Sequence, residues 1–161
     1  MGIRMKKLDV IDYKLLDILQ KNSHITNQKL SKQVGLAPSS CLQRVRRLEE
    51  SGYISGYHAR VNLNEVCRFV TCIADVKLKS HSQQEMKAFI DMVDSIPEIV
   101  EYYTVNGVCD YILKIITRDM ARYLAINDQL IGSSQYAATI NTHVVLNENK
   151  SFTAVDLDTL R

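Results

Sequence analysis

Two hydrophobic rhythms divide this chain. From Asp9 to Ser51 the apolar residues recur every three or four positions: Ile11, Leu15, Ile18 and Leu19, then Leu30 and Val34, then Cys41, Leu42, Val45 and Leu48. That spacing predicts three amphipathic helices. From Phe69 the rhythm shortens to alternation, with Val70, Cys72, Ala74, Val76 and Leu78 on one face of a strand over Phe69–Lys79. Helical spacing returns over Gln83–Ile96 through Met86, Phe89, Ile90 and Val93, and Pro97 stops that helix. Two β-rich runs, IVEYYTV and CDYILKIIT, flank Asn106-Gly107-Val108, and Asn-Gly between such runs is a strong hairpin signal. A helix from Arg118 to Ile131 through Met120, Tyr123, Leu124, Leu130 and Ile131, then a strand over Ala138–Leu146, complete the order β-α-β-β-α-β. The pattern predicts an α+β protein, with a helical head over residues 1–62 and a ferredoxin-like domain over residues 63–161.

Local signals sharpen the head. Asp9 and Thr26 suit N-caps, Gly35 suits a left-handed C-cap, and Pro38 suits the first turn of the third helix. The common apolar centre is expected from Ile11, Leu15, Leu19, Leu30, Val34, Leu42, Val45 and Leu48. Gly52 closes the third helix. YISGYHARVNL (Tyr53–Leu63) then reads as an extended segment, either a wing or a strand leading to the second domain, with a hinge between Asn62 and Arg68.

The second and third helices, TNQKLSKQVGLAPSSCLQRVRRLEES, have the form of a helix-turn-helix. The third carries Ser39, Ser40, Gln43, Arg46 and Arg47 opposite its apolar seam, with Arg44 near the border. Arg and Gln read base edges in the DNA major groove, while hydroxyls and further Arg side chains hold phosphates. Ser39, Ser40, Gln43 and Arg47 are therefore the expected groove contacts, flanked by Arg44 and Arg46. Arg46 is equally placed to pair with Glu49 or Glu50. Charge agrees with this placement. Residues 1–60 hold 11 Lys/Arg against 5 Asp/Glu, and residues 61–161 hold 9 against 13, so the net +2 conceals a basic head and an acidic remainder.

Other chemistries find little support. No Gly-rich phosphate loop, H-E-x-x-H or Ser/His/Asp set is present, so an enzyme is not expected, and no cofactor is implied. Cys41, Cys67, Cys72 and Cys109 form no C-x-x-C pair and share no ligand spacing with the four histidines, so they read as reduced core residues and no metal site is expected. A redox sensor built on Cys41 is the metal-free alternative. The opening MGIRMKK lacks a following apolar run, and no segment has the length of a membrane span, so a cytoplasmic protein is expected. Phe69, Thr71 and Ile73, with Ile112 and Ile116, fall on the sheet face that the two helices leave open, which suggests sheet-against-sheet dimerisation.

LDVIDYKLLDILQKN, VGLAPSSCLQRVRRLEESGYISGY and NGVCDYILK followed by DMARYL together resemble the Lrp/AsnC, or feast/famine, family of transcriptional regulators over about residues 8–150. The resemblance implies binding of double-stranded DNA by the head and a C-terminal domain that dimerises, assembles further to an octamer and senses an amino acid. Carried over by position, the effector site would involve Tyr103, Gly107, Asp110, Tyr111, Met120, His143, Val144 and Val145. The chain departs from the family pattern at Val108, where relatives often carry an acidic residue, and at His143, where Tyr or Thr is common. A DNA-organising protein without an effector is the alternative within the same family.

Overall fold

In the computed structural model, which describes residues 7–133 and 137–160, the chain divides into two units: the stretch through Arg60 together with Lys150 onward, and Val61–Asn149. The opening Met1–Lys6, considered above as a targeting segment, lies outside the described residues.

The first unit holds α1 (Val10–Lys21), α2 (Asn27–Val34) and α3 (Pro38–Glu50). Asp9 and Asp12 form a capping box at the start of α1, each side chain accepting the other's backbone N–H, at 2.9 and 3.1 Å. Thr26 caps α2, and Gly35 ends it at φ +70°, a conformation that costs glycine little. Pro38 starts α3, whose Ala37 N-cap offers no side-chain bond. Leu15, Leu19, Leu30, Cys41 and Leu48 form the buried centre, with Ile11, Val34, Leu36 and Val45 packed around it. Leu42, expected in this centre, is instead exposed. It follows Cys41 by 100° of helical turn, and that rotation carries it past the seam.

Beyond α3 the segment expected to be a wing or a linking strand forms no strand. Tyr53 and Ile54 fold back to donate backbone N–H groups to Leu48 O, at 2.9 and 3.2 Å, and no described residue from Gly56 to Asn62 is in a strand. β-prone side chains do not make a strand without a neighbour to complete the ladder. Tyr57 turns back to α3, donating its hydroxyl to Glu49 Oε1 at 2.8 Å. The C-terminal tail also departs from expectation, since residues from Lys150 belong to the first unit rather than the second. Gln20 on α1 mimics a strand partner for Val155, accepting its N–H at 3.1 Å and donating to its carbonyl at 3.4 Å.

The second unit opens with a four-residue helix, α4 (Leu63–Val66), followed by β1 (Val70–Leu78), α5 (Gln83–Asp94), β2 (Ile99–Thr104), β3 (Tyr111–Thr117), α6 (Met120–Asp128) and β4 (Ala137–Val144). The sheet order is β2-β3-β1-β4 with every pairing antiparallel, the ferredoxin-like arrangement expected. Cys72, Ala74, Val76 and Leu78 of β1 and Tyr111, Leu113 and Ile115 of β3 face Phe89 and Val93 of α5 and Tyr123 and Ile126 of α6. Burying a side chain such as Phe89 stabilises the unit by roughly 1.5–3 kcal/mol. The last helix is shorter than predicted: α6 ends at Asp128 and one wider π turn carries Gln129–Ser133. Ile126 is buried there, whereas Leu124 and Ile131 point outward.

The open sheet face differs from its prediction in character. Thr71, Ile73, Ile112 and Ile116 do lie on it, half-buried, with Thr71 opposite Ile116. An ion pair from Lys114 Nζ to Glu101 Oε1 and a hydrogen bond between His143 Nε2 and Asp75 Oδ2 run between them, each 3.3 Å. The face is mixed rather than apolar. Cysteine placement is also mixed: Cys41 and Cys72 are core residues, but Cys67 is exposed and Cys109 half-buried.

The αL cap supplies a stability test. A Cβ at Gly35 would meet nothing within 4 Å. Gly35→Ala should therefore cost about 1 kcal/mol through its backbone conformation alone, read as a lower urea midpoint with unchanged slope, and Gly35→Asn should cost less.

Candidate nucleic-acid interface and effector region

The helix-turn-helix is built to present α3 rigidly. Asn27, in the first turn of α2, donates from Nδ2 to Pro38 O at 2.8 Å and pins the start of α3. Farther along, α3 is held by charge. Asp12 on α1 is 1% exposed, and its carboxylate accepts Nη2 of Arg47 at 2.6 and 2.7 Å and Nη1 of Arg44 at 2.8 Å. The same Arg44 atom reaches Asp9 Oδ2 at 2.7 Å. The Asp12 backbone N–H, followed by the Arg44 guanidinium, holds the Asp9 carboxyl below its ordinary range.

This clamp sorts the predicted DNA contacts. Ser39, Ser40, Gln43 and Arg46 are exposed on α3, whereas Arg44 and Arg47 are half-buried and turned toward α1. Arg47, expected in the groove, is thus occupied by an intramolecular carboxylate. Arg46 has no ion pair among the described residues, and Glu49, one of its two expected partners, instead receives Tyr57. Cys41 lies in the packed centre, where burial pushes its thiol upward in pKa, away from the thiolate that redox chemistry uses.

The eight candidate effector residues fall into two groups. Tyr103, Gly107, Asp110 and Tyr111 lie at the β2–β3 hairpin, beside the end of β1. Met120 begins α6 beyond the other end of β3, and His143 pairs with Ile73 toward the start of β1, with Val144 and Val145 beyond it. The seven residues of β3 separate the groups, roughly 20 Å of extended chain. One copy does not gather all eight into a single pocket.

Within the hairpin group the roles diverge. Tyr111 is a core residue, fully buried and packed on Phe89 with ring centroids 5.0 Å apart, so it offers a ligand no accessible surface. Tyr103 is exposed and donates to Glu101 Oε2 at 3.1 Å. Asp110 anchors the hairpin: its N–H donates to Val76 O at 2.8 Å, its Oδ2 accepts the Leu78 N–H at 2.7 Å, and its Oδ1 meets His81 Nε2 at 2.9 Å. The Leu78 N–H, more than His81, holds the Asp110 carboxyl below its ordinary value of 3.8. Gly107, at φ +131°, lets the chain turn between these anchors.

The Met120 end also holds a group that the sequence reading passed over. Glu98, Ile116, Thr117, Arg118 and Arg122 line an open cleft of about 470 Å³. Arg122 Nε donates to Glu98 Oε1 at 2.6 Å and holds that carboxyl below its usual range. Arg118 and Arg122, four residues apart, were the available signal, but the partner of Arg122 comes from the residue just before β2, while Arg118 pairs with its neighbour Asp119.

Comparison with known proteins places both units. The family model described as winged helix-turn-helix DNA-binding matches residues 8–55, and the Lrp/AsnC ligand binding domain matches residues 71–155. The chain is 37% identical over 147 residues to the leucine-responsive regulatory protein of Haemophilus influenzae, covering 91% of this chain and 89% of that one. It is 33% identical over 157 residues to the transcriptional regulatory protein DoeX of Halomonas elongata, covering 95% and 99%. Among solved structures, a transcriptional regulator from Neisseria meningitidis in complex with L-Met superposes with a TM-score of 0.88 at 28% identity, covering 96% of this chain and all of that one.

Two outcomes follow from the clamp and the hairpin anchor. Asp12→Ala should destabilise the head by about 2–3 kcal/mol in denaturant melts, below the cost of breaking a fully buried pair because both guanidiniums reach solvent. Asp110, with its folded pKa lowered, contributes stability present above pH 3.8 and lost as pH falls through the lowered value. Asp110→Asn should flatten that acid limb in a pH series of thermal melts.

Proposed function

The chain belongs to the Lrp/AsnC family of transcriptional regulators, and on that premise we propose that it is a cytoplasmic DNA-binding regulator, not an enzyme, that reads operators with the outer strip of α3 and responds to an amino acid. The observation that carries this reading is the division of labour on α3. Ser39, Ser40, Gln43 and Arg46 stand free at the surface, while Arg44 and Arg47 orient the helix from behind. A rigid helix with its polar strip outward suits direct readout in the major groove.

The effector reading is that of an assembly. The hairpin group of one copy and the Met120–His143 group of another would together form a pocket that neither forms alone. The mixed open face, with its half-buried Thr71, Ile73, Ile112 and Ile116, suits the dimer contact, and further association would bring hairpins to the opposite ends of neighbouring sheets. Backbone groups around Gly107 would meet a ligand's carboxylate and ammonium. One named relative is leucine-responsive and one solved structure carries L-Met, so apolar amino acids head the screen. An effector that alters association would shift DNA affinity by linkage.

Thermal-shift screening against the twenty amino acids, with light scattering on the same samples, tests the effector half. A ligand of the folded form raises the melting temperature, and the reading fails if no amino acid changes either melting or particle mass. For the DNA half, Arg46→Ala should weaken binding and lower the slope of log K against log salt by about one. Arg47→Ala should act mainly by lowering the melting temperature. Equal salt slopes for wild type and Arg46→Ala in fluorescence anisotropy would remove Arg46 from the interface.

A further inference from the structure

Leu42 breaks the pattern of the recognition helix. It is 40% exposed on α3, clear of the seam made by Cys41, Val45 and Leu48. Ser39, Leu42, Gln43 and Arg46 occupy positions i, i+3, i+4 and i+7, so they form one continuous surface strip. A single exposed leucine is ordinary on a protein surface. This one is the apolar member of a strip whose other members are hydrogen-bonding groups, on the helix that the clamp holds outward.

The floor of the major groove offers one apolar feature, the C5-methyl group of thymine. We propose that Leu42 is a specificity-determining residue that packs against a thymine methyl, next to the base whose edge Gln43 reads. The proposal rests on the DNA-binding role of α3 and adds to it a chemical preference at one position. Leu42 has no hydrogen-bonding atom, so its discrimination comes from the water released when two apolar groups meet. Removing a methyl from such a contact should cost about fourfold in affinity. The flanking polar side chains set the register, because Gln43 bonds adenine at N6 and N7 in one orientation only.

The test separates methyl readout from everything else. The full-length protein selects duplexes from a random-sequence pool, and each thymine of the selected half-site is then replaced singly by deoxyuridine, which removes only the methyl. One dT-to-dU replacement should weaken wild-type binding about fourfold. Leu42→Ala should bind the thymine duplex more weakly and be indifferent to that same replacement, and Leu42→Met should keep the discrimination. Leu42→Gln, polar and of similar length, serves if Leu42→Ala lowers the melting temperature, and it too should lose the difference. Wild-type indifference to uracil at every position, or full thymine preference in Leu42→Ala or Leu42→Gln, overturns the proposal. Failure to enrich any sequence would overturn the underlying DNA reading instead.

Discussion

A carboxylate removed from water must be answered by charge or by several hydrogen bonds, and the head of this protein is arranged around that requirement. Asp12 is almost fully buried between α1 and α3. It is answered by two guanidiniums from successive turns of α3 and by the backbone N–H of Asp9. The apolar centre of the unit is small, five buried residues among those described. A seam of that size leaves a helix free to roll, whereas charge-assisted bonds from two guanidiniums to one buried carboxylate restrict its rotation. The clamp therefore sets which way α3 faces, and the face it turns outward is the one with Ser39, Gln43, Arg46 and Leu42.

The same economy governs the sensing unit. Asp110 spends its carboxylate within the chain, on Leu78 and His81, and so ties the hairpin to the end of β1. A hairpin held in this way presents Gly107 and Val108 as a rigid projection, with Val108 almost wholly exposed. At the other end of the sheet, Met120, Glu98 and Arg122 form a separate surface. The length of β3 keeps the two surfaces apart, so a single copy does not bring the candidate effector residues together.

Much of this was legible beforehand. The three head helices, the Gly35 cap, the Pro38 start, the alternation of β1 and the Asn-Gly hairpin all follow from interactions within a few residues or within one strand. Errors cluster where a residue's fate depends on a distant partner. Tyr53–Leu63 has strand-forming side chains but no adjacent strand. Tyr111 could not be told from a ligand contact until Phe89 was seen against it. Leu42 has the composition of a core residue and sits just past the seam.

By itself, then, the sequence determined the three head helices, the β-α-β-β-α-β order and the helix-turn-helix family pattern, because caps, periodicities and turns are local physics. Only the tertiary structure decided which arginines of α3 are free. Arg47 and Asp12 are 35 positions apart, so nothing in the local pattern of α3 reveals their pairing. It also decided that the tail joins the head, through Gln20 and Val155, and that the candidate effector residues lie at two ends of one sheet. Such facts belong to long-range contacts, where the energy of a charge or a strand edge is settled by whatever the fold brings beside it.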